Sequence, residues 1–403
     1  MKRVTYVSYY QRKNGIILLL IFISLCVWIY ACRQYEFSCF SVAADAEEEL
    51  NAGVEELLKT LDLEALQEYV NSLNQFSDTN VAERLLAYIG GESLNYESIG
   101  KEIKGILFER VMEILPSFAC IAAITLLSGL ISTMKSGSNA RTSAEMIFLI
   151  TYAAALIPLI AVLSECFQTA RESILSMQTQ MQIVFPLMLT LMAASGGTLS
   201  AAVCRPAVGF FATNIVSVIS SVVYPITIMI IVFSMAGNLT KELKISRFTT
   251  FFKSINKWII GICISVFGIF FTLQGITSAT YDGVVRRAAK YAIGNGIPIV
   301  GGFLSGGFDL AVAGSVLIKN SLGSMSIFLM IAVVFEPVVL LVSVNMLLRL
   351  ISAITQPFGD GRISDFLGET ADNLNYCTAG LLITAFLYFL SIMLMVCASE
   401  VLF

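Results

Sequence analysis

Histidine is missing from all 403 residues. That removes the commonest general base, the commonest transition-metal ligand and the side chain that titrates nearest neutral pH. Charge is scarce as well. Asp, Glu, Lys and Arg supply 13% of the residues, where soluble domains carry about 25%. The nine cysteines, Cys26, Cys32, Cys39, Cys120, Cys166, Cys204, Cys263, Cys377 and Cys397, contain no CxxC pair. Neither a zinc site nor a dithiol redox centre is therefore indicated. Most of them fall in apolar runs, where cysteine behaves as a small hydrophobe. The glycine-rich stretches lack the strand–turn–helix setting and the Lys-Ser/Thr of a phosphate loop. No nucleophile–base pair and no dinucleotide fingerprint occurs. These absences leave no candidate catalytic, cofactor or metal residues, and the chain does not read as an enzyme. The formal net charge of −4 gives no reason to expect nucleic acid as a partner.

What the sequence does contain is apolar length. Hydrophobic residues make up 57% of the chain and the mean hydropathy is +0.80. With several apolar runs of about 20 residues, this describes an all-α polytopic membrane protein of about six to eight transmembrane helices. Candidate spans are 111–133, 144–165, 183–203, 208–235, 258–277, 297–318, 324–348 and 379–402. Residues 1–44 read as a signal peptide or a first membrane span. Lys2, Arg3, Arg12 and Lys13 precede an apolar core from Ile16 to Ala31, and small residues suited to cleavage follow around Ala44 and Ala46.

Residues 45–108 differ in kind. Between Asp45 and Gly105 stand fourteen Asp/Glu against four Lys/Arg, a net of −10. Leu50, Val54, Leu57, Leu58 and Leu61, then Leu66, Tyr69, Val70 and Leu73, recur at helical spacing. This segment reads as a small acidic bundle of amphipathic helices outside the membrane. Its apolar stripes serve either a core of its own or a partner. Residues 109–403 form the polytopic membrane domain.

Within that domain the prolines suggest an internal duplication. Pro186 to Pro298 and Pro225 to Pro337 are both 112 residues apart, and Ser195-Gly196-Gly197 returns as Ser305-Gly306-Gly307 after 110. An amphipathic stripe precedes each copy: Phe167, Ala170, Ile174, Met177 and Met181, then Tyr281, Val284, Ala288 and Tyr291. Two units follow, about 144–257 and 258–370. Units with an odd number of spans would be inverted relative to one another, as in many transporters. Basic residues do not settle the topology. If all eight candidates span, Lys241, Lys244, Arg247, Lys253 and Lys257 fall outside, against the positive-inside rule. If 183–203 and 297–318 are re-entrant, Arg286, Arg287 and Lys290 fall outside instead. Residues 241–257 alternatively form a surface amphipathic helix with Ile245, Phe248, Phe251, Phe252 and Ile255 in lipid.

Few polar groups sit at membrane depth. Glu336, beside Pro337, is the clearest candidate for an ion or substrate pathway. The competing reading is a satisfied contact with Lys319 or Arg349. Asp309 and Lys319 are further pathway candidates, or caps of a short helix. Pro298, Gly302, Gly306 and Gly307, continued by Ala311 and Ser315, mark an irregular or closely packed helix contact. Arg205 stands in a Cys-Arg-Pro turn as an interfacial anchor. Asn214 and Asn345 are candidates for interhelical hydrogen bonds.

The run 295–309, NGIPIVGGFLSGGFD, with Gly314-Ser-Val-Leu-Ile-Lys-Asn320 and Gln356-Pro-Phe-Gly-Asp-Gly-Arg-Ile363, resembles the stage III sporulation protein AE family. The resemblance covers about residues 50–403 and is most specific at 294–363. It implies a multi-pass protein of the mother-cell-derived outer forespore membrane, with the N-terminal domain facing the intermembrane space. It also implies a channel or export subunit of the mother cell–forespore complex needed for endospore formation. The implied partners are the other proteins of the same operon, among them a secretion-type ATPase and ring-forming subunits, and a forespore-side stage II protein. The family offers no catalytic residues to carry over. The long N-terminus with Cys26, Cys32 and Cys39 departs from the family pattern. Two other readings stand beside it: a stand-alone secondary transporter with inverted repeats, and a non-conducting membrane scaffold for the sporulation complex.

Overall fold

In the computed structural model, all regular structure among the described residues is helical. The described residues are chiefly 63–73, 80–89, 96–134, 140–210, 214–239, 245–269, 301–357 and 361–397, with isolated positions between 54 and 61. The chain divides into two compact units, Met1–Glu49 and Leu50–Phe403. The first unit lies outside the described residues. So do the proposed signal segment, Pro298, the stripe at 281–291 and the basic residues at 286–290.

Two short helices come first, α1 (Glu64–Ser72) and α2 (Val81–Ile89). Then follow α3 (Tyr96–Met134), α4 (Ala140–Ala194), α5 (Thr198–Phe210) and α6 (Val216–Leu239). The last three are α7 (Ser246–Ile269), α8 (Gly301–Thr355) and α9 (Gly361–Cys397). Six of these helices hold a stretch long and apolar enough to cross a membrane: α3, α4, α6, α7, α8 and α9. Helices run through Pro116, Pro158, Pro186 and Pro337. In a soluble helix each would cost about 3 kcal/mol, whereas packed membrane helices re-satisfy the freed carbonyls through neighbours. Just ahead of Pro225 the chain widens into a π-turn at Ile219–Val223, where the missing N–H interrupts the regular ladder.

Side chains fix the helix directions. Lys319 meets Val396 at one end and Ser352 meets Ser364 at the other, so α8 and α9 form an antiparallel hairpin. Tyr152 packs on Phe366 with ring centroids 5.0 Å apart, and Phe185 on Tyr388 at 5.6 Å, so α4 lies parallel to α9. The Tyr224 hydroxyl donates to the Cys377 carbonyl at 3.1 Å, and Ser234 donates to Glu369, so α6 runs antiparallel to α9. α7 attaches to α6 through buried Asn256, which donates to Thr227 at 2.9 Å, and through Phe252 stacked on Phe233 at 5.5 Å. Outward faces carry large apolar residues such as Ile157, Trp258 and Met346. Such a surface suits lipid as solvent, since lipid tails are as apolar as the side chains themselves.

Several segments differ from their sequence-based boundaries. The spans expected at 144–165 and 183–203 belong largely to one helix, α4. Nothing breaks it, because residues 165–182 are polar outside but keep an unbroken apolar stripe of Ala170, Ile174, Met177 and Met181 buried. Its apolar stretch of 50 residues is about 75 Å long, well beyond a hydrocarbon core of about 30 Å. The described part of 297–318, from Gly301 on, and 324–348 likewise join in α8. The described parts of the expected surface helix at 241–257 and of the span 258–277 merge in α7, and Arg247, Lys253 and Lys257 ride on one continuous helix.

The two Ser-Gly-Gly triplets take different conformations. Ser305–Gly307 lies inside α8. Ser195-Gly196-Gly197 ends α4. There Gly196 has φ 92°, Gly197 N–H donates to the Met192 carbonyl at 2.9 Å and Gly196 N–H to Ala193 at 3.1 Å. This is a Schellman turn, and its left-handed position is where glycine avoids the Cβ clash. The chain therefore reverses at 195–197, and α5 returns along α4.

The acidic segment packs on the same body. Leu66, Tyr69, Val70, Val81 and Leu85 are buried, α1 against α4 and α2 against α8. A Cβ on Gly314 would lie 3.2 Å from Leu57 and 3.5 Å from Val54. The sequence boundary at 108 falls within α3, which runs unbroken from Tyr96 to Met134.

Candidate functional site

The polar groups that link these apolar helices form the candidate site. Glu336, the carboxylate read as a pathway residue, sits on α8 and is 31% exposed. Its partner is Arg110 of α3, also 31% exposed, whose Nη2 donates to Glu336 Oε1. Arg110 Nη1 donates in turn to Glu113 Oε2 at 2.7 Å, one turn further along α3. The expected partners Lys319 and Arg349 are otherwise engaged. Glu336 is 17 residues from Lys319 and 13 from Arg349 on the same continuous helix, about 26 Å and 20 Å along its axis. Only a second helix can reach it. Arg110 was missed because it falls at the edge of the acidic segment and reads there as one more surface charge.

Lys319 corrects a second expectation. It neither caps nor flanks a short helix. It lies well inside α8, fully buried, and its Nζ donates to the Val396 carbonyl of α9 at 2.6 Å. A lysine at the end of α9 complements the carbonyls that the last turn leaves unpaired. Arg349 Nη2 pairs with Asp372 Oδ1 at 2.6 Å, and its Nε donates to Asn345 Oδ1 at 2.9 Å. Asn345 Nδ2 donates to the Ala371 carbonyl at 2.5 Å and to Asn375 Oδ1 at 3.2 Å. Asn345 thus joins two helices, as its position suggested. Arg205 is not part of a tight turn. It is an exposed residue within α5, eight positions beyond the turn that ends at Gly197. Gly302, Gly306, Gly307 and Asp309 occupy the first turns of α8, and the surroundings of their side-chain positions lie outside the described residues.

A further polar cluster lies where α1 meets the bundle. The Gln180 side chain, fully buried on α4, donates to the Ser326 carbonyl of α8 at 2.9 Å. Fully buried Tyr388 of α9 lies beside both. Ser176, one turn before Gln180, shares a 2.9 Å hydrogen bond with the Tyr69 hydroxyl of α1. Burial pushes the Tyr69 phenol above its ordinary value of 10.0, opposed in part by the Ser176 bond. A raised folded-state pKa means that this contribution to stability is fully present below about pH 10 and is lost as pH climbs through the raised value. Tyr69→Phe is expected to cost about 1 kcal/mol. Thermal melts of the purified chain would show it, and the alkaline loss of stability would be smaller in the variant than in the wild type. Asn373 stands apart from this cluster, 15 residues before Tyr388 on the same helix. It is fully buried on α9, and neither its amide nitrogen nor its oxygen has a protein partner.

Among the described residues, no three His, Cys, Asp or Glu side chains gather closely enough to hold a metal ion. Fold and site together define a multi-pass helical membrane protein whose apolar helices are joined by charged and amide side chains, Lys319, Gln180 and Asn373 among them fully buried.

The chain belongs to the stage III sporulation protein AE family: the family profile of that description matches residues 79–399. Stage III sporulation protein AE of Bacillus subtilis (strain 168) is 24% identical over 317 residues, covering 78% of this chain and 79% of that one. No solved structure matches. The resemblance read at 294–363 is thus confirmed over most of the chain. The chain is a sporulation membrane protein, and its family is defined by that role rather than by a catalysed reaction.

Proposed function

We propose that this chain is the membrane-embedded channel or export subunit of the complex that joins mother cell and forespore. The observation that carries the reading is the spread of polar groups along α8. Lys319, Ser326, Glu336, Asn345 and Arg349 cover 30 residues, about 45 Å of helix, more than the thickness of a hydrocarbon core. Intramembrane charges are costly and mark pathways for ions or substrates. Asn373, buried without a protein partner, is the kind of group that a hydrated or substrate-lined interior satisfies. The helices that outreach the bilayer give surfaces for the companion subunits of the operon, the secretion-type ATPase and the forespore-side partner. The same reading places the chain in the outer forespore membrane with its acidic segment in the intermembrane space. It also keeps two homologous units, 144–257 and 258–370, in which α5 and α6 of the first stand where α8 stands in the second.

The test is passage of a small hydrophilic tracer through vesicles that carry the full chain together with its companion operon proteins. Glu336→Gln is expected to reduce passage and sporulation together. Normal sporulation in this variant, with no tracer flux in the wild type, would favour the non-conducting scaffold. Ion-coupled uptake by the purified chain alone would favour the secondary transporter.

A further inference from the structure

Residues 183–204 are free of charge and bounded by Gln182 and Arg205. The turn at 195–197 folds this stretch into two arms. The longer arm, 183–194, is about 18 Å long, so the hairpin reaches roughly half-way through a hydrocarbon core of about 30 Å. Arg205, about 12 Å back from the turn along α5, and Gln182, about 20 Å back along α4, lie towards its open end, where long polar side chains favour the membrane interface. The two arms touch, but a cleft stays open along one side of the seam. Ala193, Ala201, Ala202 and Gly209 face the space between them and are too small to fill it. A cleft of about 540 Å³ is left, with Phe185, Leu189 and the small residues along its walls. Among the described residues its one charge is Arg205, and Gln182, Thr190 and Thr198 are its other polar groups. An apolar slot of this size with a few convergent polar groups suits an elongated apolar ligand. One guanidinium at the mouth selects a ligand with an anionic head, which it can meet with paired N–H donors.

We propose that the cleft between α4 and α5 holds one anionic phospholipid, with an acyl chain between Phe185, Leu189 and Ala201 and the phosphate on Arg205. The occupant is a lipid because both requirements, a long apolar chain and a fixed negative charge, are met by the solvent in which the hairpin sits. The bound chain adds contacts along the open side of the seam, where Leu189, Thr190, Ala201 and Ala202 are not covered by the bundle, and so stiffens α5 against α4.

The full chain in nanodiscs of phosphatidylcholine, with or without phosphatidylglycerol, tests this by native mass spectrometry. Wild-type protein is expected to keep one phosphatidylglycerol after detergent washing and to release phosphatidylcholine. Arg205→Gln, an exposed site that leaves folding intact, should weaken phosphatidylglycerol retention roughly tenfold. Thr190→Trp, at the exposed rim, should block both lipids. Lys253→Gln, on α7, should change nothing. Equal retention of the two lipids by the wild type overturns the proposal, as does undiminished retention in Arg205→Gln or in Thr190→Trp.

Discussion

Arg110→Leu is expected to destabilise the purified protein by about 2–3 kcal/mol, and Glu336→Leu by only about 1 kcal/mol. The asymmetry follows from the geometry. Removing Arg110 leaves Glu336 alone between apolar neighbours on α8, whereas removing Glu336 leaves Arg110 still bound to Glu113 at 2.7 Å. Losing one partner of a fully buried pair costs about 3–5 kcal/mol, and these groups are a third exposed, which places the figure lower. The double variant Arg110→Leu/Glu336→Leu should recover most of the loss, because two leucines pack in an apolar bundle without an orphaned charge. Thermal melts of all four proteins in one detergent provide the cycle. Equal losses in the two single variants, adding up in the double, would mean that the pair contributes nothing as a pair. Comparing sporulation across the same four separates stability from transport: a double variant that is stable and yet fails to sporulate points to the charges themselves.

Gly323→Ala is expected to be the most damaging single-methyl change among the described glycines. An added Cβ would stand 2.6 Å from Val396 Cγ2, with Ile392 at 3.5 Å and Met188 at 3.6 Å. Three helices, α8, α9 and α4, meet at this point. A β-branched valine on a helix has one strongly preferred rotamer and cannot swing away, so α9 must move as a body. One turn before Gly323, Lys319 holds the Val396 carbonyl at 2.6 Å. The same displacement therefore weakens the bond that satisfies a buried ammonium. Overpacking of this kind costs about 1–3 kcal/mol, and the strained lysine places the change at the upper end. At Gly380 a Cβ would meet Tyr224 Cε1 at 2.9 Å and Ile219 Cγ2 at 3.3 Å. Ile219 belongs to the π-turn, and the Tyr224 ring is tied through its hydroxyl to Cys377. Gly380→Ala is expected to cost about 1–2 kcal/mol. If Gly323→Ala melts like the wild type, the close approach of α8 and α9 is not a constraint on this fold.

The order of the two glycines shows where reasoning from sequence stops. Gly302, Gly306 and Gly307 stand out in the sequence because they are spaced as small residues at a helix contact are. Gly323 and Gly380 stand alone in sequence, with no partner glycine at that spacing, and nothing local marks them. Their importance comes from which side chains the neighbouring helices bring against them. Glu336 behaves in the same way. Its chemistry was legible from one carboxylate in an apolar run, but its partner lies 226 positions away in α3, beyond anything that spacing can reveal.

The sequence by itself determined the class of protein, since apolar length without turn-forming interruption admits helices in a bilayer and little else. It also determined the family, through the run from Asn295 to Ile363, and the identity of the few polar groups worth examining. Tertiary structure alone decided how those groups pair, because helix periodicity specifies a face but not the neighbour that the face meets. It decided that 144–165 and 183–203 are largely one helix, because the buried stripe from Ala170 to Met181 holds the polar middle of α4 in place. Local conformation decided the difference between the two Ser-Gly-Gly triplets. The same three residues close a helix at 195–197, where the chain turns back on itself, and continue one at 305–307.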